Sequence, residues 1–85
     1  MLKDKSKTQY IIRFNNNKYW GGFRSFVKHW WQAHAYASAK VAAREAEKII
    51  KRRVKWYGNT ELKAFDILEK ESTLKPVVFS RTVDF

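Results

Sequence analysis

The first run of hydrophobic positions predicts a β-hairpin. Residues 7–15 are rich in β-branched and aromatic side chains, a composition typical of a strand. Asn15-Asn16-Asn17 follows and predicts a turn, because asparagine tolerates a left-handed backbone conformation. Lys18-Tyr19-Trp20 then has the composition of a returning strand, which Gly21-Gly22 closes.

Two later stretches are candidates for a third strand. Phe23–Val27 fits either a short helical turn or an irregular strand. From Trp30 to Tyr36 the residues can be divided into two alternating sets, as on the two faces of a strand. We therefore expect the third strand within this second stretch.

The pattern changes to a helical period after Ser38, which can cap a helix through its hydroxyl. Residues 39–53 are rich in strong helix formers, and we predict a helix over Ser38–Arg53. At about 100° per residue, one side of this helix is apolar and suited to a sheet. That side carries Ala42, Ala46, Ile49 and Ile50. The opposite side carries Arg44, Lys48, Lys51, Arg52 and Lys55.

The last third of the chain predicts one or two further elements. Val54–Tyr57 runs into a turn at Gly58-Asn59. Leu62–Glu69 fits a strand or a helix, and we favour the strand. Pro76–Phe79 fits an edge strand or a docked tail. The expected fold class is α+β, with an antiparallel sheet packed on one main helix.

Length and charge restrict the function more than the pattern does. The 85 residues have room for one hydrophobic core, so we predict a single small domain over residues 1–85. The net charge is +10, and it is unevenly distributed. Residues 1–58 hold fourteen Lys and Arg against three Asp and Glu, whereas residues 59–85 are near neutral. A basic field of this kind attracts polyanions.

Catalysis finds little support among the residues. His29 and His34 would point to opposite faces of a strand, which argues against a shared metal site. There is no cysteine, and Ser6, Ser25 and Ser38 have no recognisable activating partner. We predict no enzyme activity and no cofactor. The longest early apolar stretch is Tyr10–Ile12, far too short for a signal peptide or a membrane span, so we expect a cytoplasmic protein without a membrane partner.

Two surfaces are candidates for binding nucleic acid. The first is the basic side of the helix, although cations near a helix C-terminus also have a structural role because they complement the helix dipole. The second is the hairpin and the segment after it, where cations lie among rings that can stack on bases. Its predicted phosphate contacts are Arg13, Lys18, Arg24 and Lys28. Its predicted interface rings are Trp20, Trp30 and Trp31, and the sequence leaves open which tryptophan is exposed.

One family resemblance covers roughly residues 9–50. Gln9–Phe14, the three asparagines, Lys18–Trp20, and Ala35–Lys40 leading into Ala42–Ala46 stand in a characteristic order. This order resembles the three-stranded-sheet-plus-helix domains of the AP2 type, including the arm-binding domains of phage and transposon integrases. The layout is also similar to small phage and prophage proteins.

The resemblance implies that the sheet enters the major groove of DNA, with Arg13, Lys18 and Arg24 in contact. The thirty or so residues after the helix depart from the family module. We therefore predict a non-catalytic protein of phage type that binds DNA, RNA or a nucleoprotein. The alternative is an anti-CRISPR-like inhibitor or adaptor that binds a host protein directly in the bacterial cytoplasm. A homodimer is compatible with either function.

Overall fold

The fold is an open antiparallel sheet of five strands with one long helix on one face. The computed structural model describes residues 8–22, 25–58, 61–70 and 77–83. Its strands are β1 (Tyr10–Phe14), β2 (Tyr19–Gly22), β3 (Ser25–Val27), β4 (Ala64–Glu69) and β5 (Phe79–Thr82). The helix, α1, spans Ala39–Tyr57, and a short 3₁₀ turn spans Trp30–Gln32. The strand order is β3-β2-β1-β4-β5, which confirms the predicted α+β class.

The predicted hairpin forms β1 and β2. Arg13 pairs with Tyr19 across it, and the turn between the strands needs a left-handed residue. Asn17 supplies that conformation with a φ of 66°. The hairpin brings β1 to the centre of the sheet, where β4 pairs along its other edge. Ile11 and Ile12 are both fully buried as a result, one on each face.

The third strand is Ser25–Val27, and the expectation of a strand over 30–36 was wrong. Residues 30–32 form the 3₁₀ turn, and Tyr36 makes only an isolated bridge to Tyr10. A 3₁₀ turn brings residues i and i+3 to the same side. Trp30 and Ala33 therefore pack together with Ile11 on the sheet face that α1 leaves uncovered, which a strand would not allow.

The helix begins as predicted and ends later than predicted. The Ser38 hydroxyl accepts hydrogen bonds from the backbone N–H groups of Lys40 and Val41, at 3.1 and 3.5 Å. The helix continues past Arg53 to Tyr57. Gly58 ends it, because its left-handed φ of 64° suits glycine and lets its N–H reach the last carbonyl groups.

Two clusters of buried side chains hold the sheet. The larger lies between the sheet and α1, and the smaller lies on the other face around Ile11, Ala33 and Leu68. The larger cluster includes Ile12, Phe14, Phe65 and Ile67 from the sheet and Ala42, Ala46, Ile49 and Ile50 from α1. The predicted apolar side of the helix is thus confirmed.

The near-neutral end of the chain supplies two of the five strands. The strand interpretation of Leu62–Glu69 is confirmed by β4, and Phe79 begins the edge strand β5. Pro76, the first residue of that expectation, lies outside the described residues.

Candidate nucleic-acid interface

The solvent side of α1 carries a row of exposed cations, which we call the basic ridge. Its members are Arg44, Lys48, Lys51, Arg52 and Lys55, all exposed. The ridge exists because Ala42, Ala46 and Ile50 face the sheet, so residues half a turn away must face water. From Lys48 to Tyr57 the helix holds five Lys and Arg and no acidic residue.

Few acidic groups compensate the ridge. Glu45 lies 3.8 Å from the Lys48 ammonium, an exposed pair of helix neighbours. Such surface pairs contribute roughly 0–1 kcal/mol, so Lys48 can exchange this partner for a phosphate. Among the residues that the structure describes, Arg44, Lys51 and Lys55 have no ion pair.

The two adjacent arginines of the helix point in different directions. The Arg52 guanidinium carbon lies 5.6 Å from the ring centroid of Trp56, on the solvent side. The Arg53 guanidinium carbon lies 4.9 Å from the ring centroid of Phe26 in β3. Arg53 is only partly exposed, so it joins the helix to the edge of the sheet and does not belong to the ridge.

Trp56 is an exposed ring that sequence reasoning missed. Its side chain is 55% exposed, although tryptophan is usually well buried. The sequence reading ended the helix at Arg53 and therefore gave Trp56 no helical neighbours. Because the helix continues, Trp56 stands four residues after Arg52, the spacing at which helix side chains meet.

The predicted hairpin contacts do not form one cluster. The Arg13 guanidinium binds the Asp66 carboxylate at 2.9 Å, and Ser80 donates a hydrogen bond to the same carboxylate at 2.6 Å. The hydrogen bond to Asp66 raises the pKa of Arg13 above its ordinary value, despite partial burial. Lys18 and Lys28 are exposed, and Arg24 lies outside the described residues.

The three predicted interface rings have different environments. Trp20 is only 9% exposed and packs edge-on against Phe14 and Phe26, so its ring lies in the core and offers no surface for stacking. The role of Trp20 at an interface therefore stays a prediction, which its burial does not support. Trp30 is partly buried in the smaller cluster. Trp31 is 58% exposed and stacks on His29, with ring centroids 4.4 Å apart.

Trp31 and the basic ridge lie on opposite sides of the sheet. The neighbour of Trp31, Trp30, packs with Ile11 and Leu68 on the face away from α1. Trp31 makes an edge-on contact with that ring and extends from the same 3₁₀ turn. The two exposed tryptophans, Trp31 and Trp56, therefore belong to different surfaces.

The β1–β2 turn lies at the end of the molecule where α1 ends. The Asn15 amide donates a hydrogen bond to the carbonyl oxygen of Glu61 at 2.8 Å. Glu61 follows the helix cap Gly58 by three residues, a span of at most about 11 Å. The turn is therefore near the C-terminal end of α1, and Lys18 within it is exposed.

A shallow cleft also lies between α1 and β5. It is lined by Lys40, Ala43, Arg44, Glu47, Phe79 and Arg81. Arg81 forms an ion pair with Glu47 in this cleft, so one of its three cations is already neutralised. The cleft is continuous with the ridge through Arg44.

The histidines make ring contacts with neighbouring aromatic residues. His29 stacks on Trp31, and His34 makes an edge-on contact with Tyr36 at 4.8 Å. Neither lies in a regular strand, so the alternation argument does not apply to them. Within the described residues, no group of three or more acidic or histidine side chains is placed to hold a metal ion.

Among the residues that the structure describes, no helix is both long enough and apolar enough to cross a membrane.

The interpretation of the ridge rests on the chemistry of its own side chains, since no protein-family model, no curated protein and no solved structure matches this chain.

Proposed function

We propose that this chain is a non-catalytic nucleic-acid-binding protein whose basic ridge contacts the phosphate backbone. The observation that carries the proposal is the C-terminal half of α1, which has five cations, no acidic residue and a solvent-facing row of Lys48, Lys51, Arg52 and Lys55. Phosphate contacts by such side chains release condensed counterions, which drives binding.

A purely structural role explains only part of the ridge. Cations stabilise a helix through its dipole within the last turn, and in α1 that turn holds Lys55. Arg44 and Lys48 lie at least two turns before the end of the helix, where the dipole no longer favours a cation. Their exposure and alignment are better explained by an anionic partner that lies along the helix.

The helix is a better candidate for the contact surface than the sheet. On the helix-free face of the described strands, the charged side chains are one cation, Arg13, and one anion, Asp66, and they bind each other. The Trp30 turn also covers part of that face. Binding through this face would require Arg13 to leave Asp66, whereas the ridge is available as it stands.

The test compares two triple variants that remove the same charge. One changes Lys48, Lys51 and Arg52 to Ala, and the other changes Lys18, Lys28 and Lys63, which are exposed outside the ridge. Binding to labelled duplex DNA and to structured RNA is measured at several salt concentrations. We expect the ridge variant to lose at least about tenfold in affinity, and its salt slope to fall by about 2 to 3. The control variant keeps most of its affinity.

Three results would contradict this proposal. Equal losses of affinity in both variants would mean that net charge determines binding, and not the position of the cations on the ridge. A loss confined to the variant of Lys18, Lys28 and Lys63 would favour the sheet in the groove, as the AP2-type resemblance implies. Indifference to nucleic acid at low salt, with tight capture of one host protein, would favour the anti-CRISPR-like alternative.

A further inference from the structure

We infer that the basic ridge takes single-stranded nucleic acid and that Trp56 stacks on an unpaired base. This inference rests on the proposed function and specifies its ligand. The proposal joins two observations: an exposed flat ring, and a row of cations that begins beside it on the same helix. Proteins that bind single strands combine these two features, because cations follow the backbone while rings stack on bases.

The position of Arg52 prepares the Trp56 ring for stacking. The guanidinium lies over the ring at 5.6 Å, a cation–π contact that restricts how the indole can turn. More than half of the Trp56 side chain stays accessible with Arg52 in place. A ring already held in position loses little conformational freedom when a base stacks on it.

The ridge is long enough to follow more than one nucleotide. Lys48 and Lys55 are separated by about 10 Å along the helix axis at about 1.5 Å per residue. Successive phosphates of one stacked strand are spaced by about 3.4 Å along their axis, so roughly three fit along this length. A base on Trp56 would thus have its neighbouring phosphates near Arg52, which contacts the ring, and near the adjacent Lys55.

A duplex would use the ridge but not the ring. Its bases are stacked on each other and present only their edges in the grooves. Trp56 donates a single hydrogen bond at most through its indole N–H, so it is poorly suited to reading those edges. The ring therefore adds affinity where bases are unpaired, and a single strand is the ligand that engages both parts of the surface.

Trp31 provides a matched control for Trp56. The two side chains are 58% and 55% exposed, so replacing either one removes a similar accessible ring. Trp31 lies on the other side of the sheet and stacks on His29, away from the ridge. If exposed tryptophan raised affinity in a non-specific way, both variants would bind more weakly. If a base stacks on the ring at the ridge, only Trp56→Ala loses affinity for single strands.

The experiment measures the binding of Trp56→Ala, Trp56→Phe and Trp31→Ala to oligo(dT), oligo(U) and a DNA duplex of the same length by fluorescence anisotropy. We expect Trp56→Ala to weaken binding to the single strands by roughly five- to a hundredfold. Its duplex affinity should change by less than about twofold. Trp56→Phe should keep most of the single-strand affinity, and Trp31→Ala should match the parent protein. The ratio between oligo(dT) and oligo(U) then distinguishes DNA from RNA as the preferred strand.

The inference and the proposed function fail in different ways. If the ridge triple variant loses affinity but Trp56→Ala binds every probe like the parent, the single-strand inference is overturned and the function stands. An equal loss on single strands and duplex, or an equal loss in Trp31→Ala, also overturns the inference. If the parent protein binds none of the probes at low salt, both proposals are overturned. Far-UV circular dichroism confirms that each variant is folded.

Discussion

Replacement of Asn15 by Ala should destabilise the fold more than the same change at its neighbour Asn16. The Asn15 side chain binds three backbone groups of the segment that enters β4. Its amide donates to Glu61 O at 2.8 Å, and its oxygen accepts from Lys63 N at 3.1 Å and Ala64 N at 3.3 Å. Asn16 accepts one hydrogen bond, from Lys18 N at 3.0 Å.

The magnitude follows from the number of bonds lost and from their exposure. A hydrogen bond contributes about 0.5–1.5 kcal/mol net, and exposed groups lie near the lower limit because water replaces the partner. We therefore expect Asn15→Ala to lower the free energy of unfolding by about 1–2 kcal/mol, and Asn16→Ala by about 0.5 kcal/mol. Asn15→Asp keeps the acceptor and loses the donor, so its loss should be intermediate.

Urea unfolding followed by circular dichroism measures these differences directly. For a domain of this size, 1 kcal/mol corresponds to roughly 4–8 °C in Tm, which gives a second measurement. If Asn15→Ala and Asn16→Ala were equally stable, the tie between the hairpin turn and β4 would contribute nothing, and the reasoning would be refuted. Affinity for nucleic acid should stay unchanged in both variants while they are folded, since neither residue belongs to the ridge.

Three further predictions concern the helix and its packing. Ser38→Ala removes the helix cap and should cost about 1 kcal/mol in urea unfolding, whereas Ser38→Asp should retain most of the stability. Ile50→Ala, at a fully buried site, should cost about 2–5 kcal/mol, and a loss near that of a surface change would contradict the packing. Burial, and secondly the negative charge of Glu45, raises the pKa of the Tyr36 hydroxyl. The unfolded chain therefore loses this proton at a lower pH than the folded protein does. Its contribution to stability should therefore be complete below about pH 10 and decline above it, and Tyr36→Phe should remove a component that titrates above the ordinary tyrosine range from an absorbance titration at 295 nm.

The parts of the fold that depend on neighbouring residues could be predicted from the sequence. The hairpin follows from a β-branched run and three asparagines, and the start of α1 follows from a serine before a run of helix formers. The apolar side of α1 follows from its period. These signals are local, so they do not depend on contacts with distant parts of the chain.

The parts of the fold that depend on distant residues could not be predicted from the sequence. β1 pairs with β4, whose residue Asp66 is 53 positions from Arg13, and no local pattern shows that this carboxylate neutralises that arginine. The strand expected over 30–36 failed for a similar reason. The sheet has a second apolar face, and a 3₁₀ turn covers it better than an alternating strand.

The same limit applied to the candidate site. Five ridge cations could be found from helical spacing, although Lys55 lay beyond the expected helix end. Trp56 could not, because spacing does not show that this ring stays exposed beside Arg52. Trp20 was predicted at an interface because rings beside cations are common there. A chain so rich in aromatic residues also uses many of its rings as core, and Trp20 is one of them. Deciding between these roles requires the burial of each ring.

The neighbours Arg52 and Arg53 separate the contribution to binding from the contribution to folding. They have the same charge, but Arg52 contacts Trp56 at the surface and Arg53 contacts Phe26 in the sheet. We expect Arg52→Ala to weaken nucleic-acid binding with little effect on urea unfolding. Arg53→Ala should lose roughly 0.5–1 kcal/mol of stability from its ring contact, and less affinity than Arg52→Ala. If the two variants lost equal affinity, net charge rather than the geometry of the ridge would determine binding.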